Sequence, residues 1–269
     1  MSDGIAILGA GKMGEALLSG MVRAGRPTAS LVVTTHDEGR ASTLREKYGV
    51  EVTDNVGAVK SASTIVIAVK PQDMGTLLNE ISSGVTANQL LVSVAAGITT
   101  SFIERRLPVD VPVVRVMSNT PVLVDEAMSA ISAGSHATEG HLEQAEGLLK
   151  SVGRTIRVPE SQQDAVTALS GSGPAYFFYL VEAMTDAGIL LGLPRSVAHD
   201  LIVQTAIGSA VMLRDSGDTP QELREAVMSP AGTTIAAIRE MEDHKVRAAF
   251  LAALEAARDR SRELASGHE

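Results

Sequence analysis

The chain has no cysteine among its 269 residues, which removes disulfides, thiolate metal sites and a cysteine nucleophile. Positive charge is also scarce: 23 Lys and Arg against 32 Asp and Glu give a formal net charge of −9. That balance argues against nucleic acid and anionic membrane surfaces as partners. No apolar run approaches about 18 residues without a charge, so no membrane span is expected. Nothing after Met1 reads as a signal or targeting segment, and a cytoplasmic protein is expected. Asp125-Glu126 has no partner at metal-ligand spacing, so no metal is expected. Lysine is missing between Ser151 and His244, which leaves that stretch without the most usual cationic acid.

Against these absences stands a hydrophobic content of 45%, enough for a sizeable core. The length fits one large domain or two modest ones. Gly4 to Leu8 reads as a short buried strand, followed at once by Gly9-Ala10-Gly11-Lys12-Met13-Gly14 and a helix to about Ala24. Apolar strands recur at Leu31 to Thr34, Thr64 to Val69, Leu90 to Val94 and Val113 to Met117, with helical stretches between them. Strands alternating with helices predict a parallel, doubly wound sheet. Met128 to Ser132 and Thr155 to Val158 add candidate edge strands around a helix from Glu139 to Val152. After Glu160 the strand signal stops and long helical patterns follow, from Pro174 to Leu191, Arg195 to Arg214 and His244 to Leu264. The expectation is therefore an α/β dinucleotide-binding domain over 1–160 and an all-α domain over 161–269.

The helix from Pro174 is apolar around most of its circumference, and it holds four of the chain's seven aromatics at 176–179. A small helical domain has little room to bury such a helix, so it reads as part of a subunit interface. A helix central to its own domain is the alternative.

The glycine pattern directly after a strand and opening a helix is the dinucleotide fingerprint in its proper context. Gly9 serves the tight turn, Gly11 lets backbone approach a pyrophosphate, and Gly14 permits close helix–strand packing. The helix start offers N–H groups and the positive dipole end to phosphates. The residues where an acidic ribose ligand is expected are Thr34-Thr35-His36, with Asp37 just beyond. Hydroxyls there, with Arg40 and Lys12 nearby, suit the 2′-phosphate of NADPH; Asp37 opposes it, and NADH stays open.

Two further knots of small and hydroxyl residues lie in the helical half, Ser170-Gly171-Ser172-Gly173-Pro174-Ala175-Tyr176 and Ser229-Pro230-Ala231-Gly232-Thr233-Thr234. Together with Ala68-Val69-Lys70-Pro71, Ala95-Ala96-Gly97 and Met117-Ser118-Asn119-Thr120-Pro121, they make the chain resemble pyrroline-5-carboxylate reductase. The match runs in order from Gly9 to about Arg262. The resemblance implies NAD(P)H-dependent reduction of 1-pyrroline-5-carboxylate to L-proline on a Rossmann-type sheet. It also implies a helical dimerisation domain, hence a homodimer, and allows a ring of dimers.

Carried over by position, Gly9, Gly11, Lys12, Met13 and Gly14 would hold the pyrophosphate, and Thr35 and Asn55 would lie near the adenosine ribose. Ala68, Val69, Lys70, Pro71, Ala95, Ala96, Gly97, Asn119 and Thr120 would line the other ribose and the nicotinamide. Ser229, Gly232, Thr233 and Thr234 would bind the substrate, with Thr234 as catalytic residue at the reacting nitrogen. Ala231 stands where the family commonly has glycine, so its backbone is expected to avoid a glycine-favouring conformation. Ser118 replaces a frequent proline. Reduction of another imine or 2-oxo acid, and a dinucleotide-binding regulator without turnover, are the competing readings. The shortage of proton donors in the helical half counts against a carbonyl substrate. The regulator gives no reason for the hydroxyls at 229–234.

Overall fold

The computed structural model describes residues 4–266. Five apolar parallel strands are formed by β1 (Ile5–Leu8), β2 (Leu31–Thr34), β4 (Thr64–Ile67), β5 (Leu90–Ser93) and β6 (Val113–Met117), with β3 (Glu51–Val52) a two-residue edge. β7 (Ala127–Ala133) and β8 (Gly153–Arg157) complete an eight-stranded sheet in the order β3-β2-β1-β4-β5-β6-β7-β8. The strands are β-branched and buried on both sides, as parallel strands between two helical layers must be. Alternation divides them: Ile5 and Ile7 join one core cluster and Ala6 and Leu8 the other.

The first cluster takes Leu17 and Leu18 of α1 (Lys12–Arg23), Leu44 of α2 (Glu38–Tyr48) and Leu148 of α6 (Glu139–Leu149). The second takes Val59 of α3 (Asn55–Ser61), Leu77 and Leu78 of α4 (Met74–Ile81), and Phe102 of α5 (Thr100–Glu104). One strand departs from the purely parallel expectation: β7 runs antiparallel to β6. The link between them is a single 3₁₀ turn, Thr120–Val124, closed by Asp125 at φ 61°. It is too short for the crossover that a parallel partner needs. β8 then returns parallel to β7 after α6.

The chain forms two compact units, one reaching Ser172 and including the chain from Ala257, the other Gly173–Ala256. Residue 160, expected as the boundary, marks the end of the strands, but the following segment stays on the sheet through side-chain bonds. Glu160 accepts from the Thr100 N–H at 2.7 Å. Buried Gln163, which opens α7 (Gln163–Val166), donates to Ser132 Oγ at 2.7 Å. A π-helical turn, Thr167–Gly171, follows.

The second unit contains α8 (Gly173–Leu190), α9 (Arg195–Asp215), α10 (Pro220–Val227), α11 (Thr233–Asp243) and the first part of α12 (Val246–Ser266). α8 and α9 approach closely, since a Cβ on Gly188 would lie 2.7 Å from that of Ala198. α10 starts with the expected capping box, Thr219 with Glu222. Phe177, Phe178 and Tyr179 are each about two-thirds exposed within the chain. α9 is long and apolar enough, by length and composition, to cross a membrane. Asp200 interrupts the helix, so the sequence shows no uncharged run of that length there.

Candidate active site

The carboxyl ends of β1, β2 and β4 open into a cavity of about 470 Å³. This is where a doubly wound sheet receives ligands. Gly9 sits at φ +91°, and a Cβ there would meet Val69 Cγ1 at 2.8 Å and Val69 N at 3.0 Å. The turn therefore requires glycine both for its backbone and for the space beside it. Gly14 is buried beneath it, where a Cβ would lie 2.4 Å from the Gly9 carbonyl oxygen. Gly11, by contrast, has open space where its side chain would be, and it caps α1 with no side-chain hydrogen bond. The N–H groups of the first turn of α1 are thus left for an anion. This cradle fits a dinucleotide pyrophosphate.

Gly9, Gly11, Thr35, Asn55, Ala68, Val69 and Lys70 all line the cavity. Lys12 faces a second cavity, beside Glu15, Arg23 and Lys47. Met13 is half-buried against the core. Pro71 opens a 3₁₀ turn at the end of the β4 loop. After β5 come buried Ala95, exposed Ala96 and Gly97 at φ +74°. Thr120 is exposed at the start of its 3₁₀ turn. The Asn119 amide is engaged by the protein itself: it accepts from Met128 N at 3.1 Å and donates to the Ser170 carbonyl at 3.2 Å.

A chain of hydrogen bonds with one direction runs under the cavity. The Gly9 N–H donates to Thr34 Oγ1 at 3.2 Å, and Thr34 Oγ1 donates to Asn55 Oδ1 at 2.6 Å. Asn55 Nδ2 then donates to Glu80 Oε2 at 2.9 Å. Bonds aligned in this way polarise one another, and the series ends on a carboxylate. Thr34 lies where the sequence places the ribose ligand, whereas nothing in the sequence marks Glu80. Glu80 comes from the last turn of α4 with no motif around it, so only the packed structure identifies it.

Asp37 caps α2 by accepting from the Arg40 N–H at 2.9 Å. Arg40 lines the cavity, and its guanidinium donates from Nε to the Ala10 carbonyl at 3.1 Å and pairs through Nη2 with Glu15.

Ser229, Gly232, Thr233 and Thr234 lie in the second unit. The Gly232 N–H closes a turn on the Ser229 carbonyl at 3.0 Å, and a Cβ on Gly232 would meet Ser229 Oγ at 2.3 Å. Gly232 then caps α11 with no side-chain hydrogen bond, and Thr233 and Thr234 are the first helical residues. Ala231 adopts φ +57°, contrary to the expectation that an alanine here avoids a glycine-favouring conformation. The left-handed region costs alanine about 1 kcal/mol, which the tight turn into α11 outweighs. Among the described residues, no group of three His, Cys, Asp or Glu gathers at metal-binding distance.

Residues 160–264 match the family described as pyrroline-5-carboxylate reductase dimerisation, and residues 4–97 match NADP oxidoreductase coenzyme F420-dependent. A pyrroline-5-carboxylate reductase of Corynebacterium melassecola is 44% identical, over 97% of this chain and 98% of its own. The solved structure of a pyrroline-5-carboxylate reductase from Coxiella burnetii superposes with a TM-score of 0.93 at 34% identity, covering 98% of this chain and 99% of that one. That of Plasmodium falciparum pyrroline carboxylate reductase with NADP bound gives 0.87 at 27%, covering 98% and 99%. With its glycine cradle, its helical second unit and this full-length likeness, the chain belongs to the pyrroline-5-carboxylate reductases, homo-oligomeric oxidoreductases that use a nicotinamide dinucleotide to reduce 1-pyrroline-5-carboxylate to L-proline.

Proposed function

We propose that NADPH is the hydride donor and that Ser229, Gly232, Thr233 and Thr234 receive the substrate. The uncapped start of α11 carries the substrate assignment. A cyclic imine with a carboxylate needs N–H and hydroxyl donors, and a helix start with two threonines supplies both. Arg40 supports the cofactor assignment, because it lines the same cavity as Gly9, Gly11 and Thr35 while the Asp37 carboxylate is occupied in capping α2. The Plasmodium relative was solved with NADP.

Bound dihydronicotinamide supplies the hydride that adds to the imine carbon. The residues of the chain do the rest. Gly9, Gly11 and Gly14 shape the turn, and the N–H groups at the start of α1 bind the pyrophosphate. The Thr234 hydroxyl oxygen accepts from the N–H of the iminium, whose nitrogen keeps the proton it acquired before binding and becomes the amine nitrogen. With no lysine between Ser151 and His244, rate enhancement rests on orientation and fixed donors rather than on a strong acid.

In this reading residues 1–160 serve the dinucleotide, and 161–269 serve the substrate and dimerisation. The exposed aromatics of α8 and the apolar side of α9 face a second copy of the chain rather than lipid, and a ring of dimers is the larger assembly we expect. The location is the cytoplasm. The direct test is oxidation of NADPH by purified protein with 1-pyrroline-5-carboxylate, repeated with NADH and with a 2-oxo acid. Imine-dependent turnover that is faster with NADPH supports the reading. Equal or faster turnover with NADH removes the cofactor assignment.

A further inference from the structure

Arg40 could read a phosphate group only from a defined position, and what defines it is a residue outside the glycine motif. Glu15 stands on α1, one turn past Gly11, with its side chain 19% exposed. Its carboxylate takes the Arg40 Nη2 pair, Lys47 Nζ at 2.9 Å and the Tyr48 hydroxyl at 2.8 Å. Arg40 is held at a second point, Nε to the Ala10 carbonyl at 3.1 Å. We propose that Glu15 is the positioning residue that presents Arg40 to the 2′-phosphate of the cofactor, and so sets the preference for the phosphorylated dinucleotide. The proposal rests on NADPH being the hydride donor.

A guanidinium has five N–H donors, and the two tethers leave three for a ligand at a residue that lines the cavity. A free arginine loses much rotamer freedom when it binds phosphate, whereas here that loss is already taken in folding. Nor does Glu15 leave the group around Arg40 neutral. A carboxylate beside Arg40 would by itself cancel the attraction, but Lys47 on the same carboxylate leaves the group of three with one net positive charge. Tyr48 adds a donor without adding charge. Lys47 and Tyr48 are adjacent in the last turn of α2, the helix that also carries Arg40 in its first turn. One helix thus grips Glu15 at both ends.

The test is titration calorimetry of the full chain with two probes lacking nicotinamide, adenosine 5′-diphosphate and its 2′-phosphorylated form. The unmodified protein should bind the 2′-phosphorylated probe more tightly, and Arg40→Met should abolish that preference. Glu15→Ala should lower the preference about tenfold, the worth of one well-placed charged bond, while affinity for adenosine 5′-diphosphate stays within about twofold. That second affinity also reports a folded cleft. Glu15→Gln, which keeps the size and an acceptor, should lie between. If Arg40→Met removes the preference but Glu15→Ala leaves it unchanged, the inference falls and NADPH stands. A stronger preference in Glu15→Ala would make Glu15 a competitor of the phosphate and overturn it as well. No preference in the unmodified protein, or none lost with Arg40→Met, overturns both.

Discussion

The Asn119 amide joins two parts of the chain 51 positions apart, donating from Nδ2 to the Ser170 carbonyl at 3.2 Å. Its oxygen accepts from Met128 N at 3.1 Å, so one side chain links β7 to the π-helical turn. Asn119 is expected by resemblance to line the nicotinamide, yet its amide is committed to protein partners. Through these bonds it fixes the segment that leads into α8.

Asn119→Ala should therefore act first on stability. Two half-buried partners, the Ser170 carbonyl and the Met128 N–H, lose a bond, and the N–H is left without its acceptor, at a cost of about 1–3 kcal/mol. Urea unfolding should show that loss at unchanged slope. Stability equal to the unmodified protein would return Asn119 to a role in ligand contact alone.

Most of the sheet is legible in the sequence, because buried parallel strands appear as β-branched runs and the fingerprint fixes where β1 ends. The direction of β7 is not legible, since it depends on the short turn after Met117 rather than on periodicity. Nor is the reach of the first unit to Ser172. That depends on Gln163 and Glu160 bonding back to Ser132 and Thr100, and no hydrophobic pattern carries such contacts. In the site, the glycines announce themselves, while Glu15 and Glu80 look like ordinary helix-surface acids until α2 and α3 are packed against them.

Ala231 gives a backbone prediction. At φ +57° alanine is tolerated, but a β-branched residue is a genuine outlier. Ala231→Val should lower stability by more than about 1 kcal/mol and raise the KM for the imine by distorting the turn between Ser229 and Gly232. Ala231→Gly should change stability by less than about 1 kcal/mol, because relief of strain is offset by the freedom glycine gains when unfolded. Thermal unfolding and steady-state kinetics on the pair check this. A valine variant with ordinary KM and stability would mean that the loop does not hold this conformation in solution.

Glu15 gives an acid-stability prediction. Burial pushes its carboxyl pKa up, but bonds from Lys47 and Tyr48 and the charge of Arg40 outweigh that and hold it below the ordinary 4.5. A carboxyl depressed in the folded state stabilises above its unfolded value and loses that contribution as pH falls through the folded one. Glu15→Gln should therefore melt below the unmodified protein at about pH 7, and the gap should close in acid below about pH 4.5. A gap independent of pH would show that packing, not charge, makes the difference.

Thr234 carries the chemistry proposed for the chain, and its hydroxyl can be separated from its backbone. The N–H groups at the start of α11 survive a side-chain change, so carboxylate binding should persist in Thr234→Ala while the bond at the imine nitrogen is lost. Removing one oriented hydrogen-bonding group costs roughly 10- to 1,000-fold in rate, and the loss should fall on kcat with little change in KM. Thr234→Ser retains the hydroxyl and should recover most of the rate, which a simple packing defect would not. Because the iminium must carry its proton at transfer, the alanine variant should lose activity more steeply as pH rises, with nothing left to favour the protonated nitrogen. Steady-state kinetics of the three proteins across pH decide the matter. Unchanged kcat in the alanine variant would remove Thr234 from the mechanism and leave orientation by the helix start as the main contribution of α11.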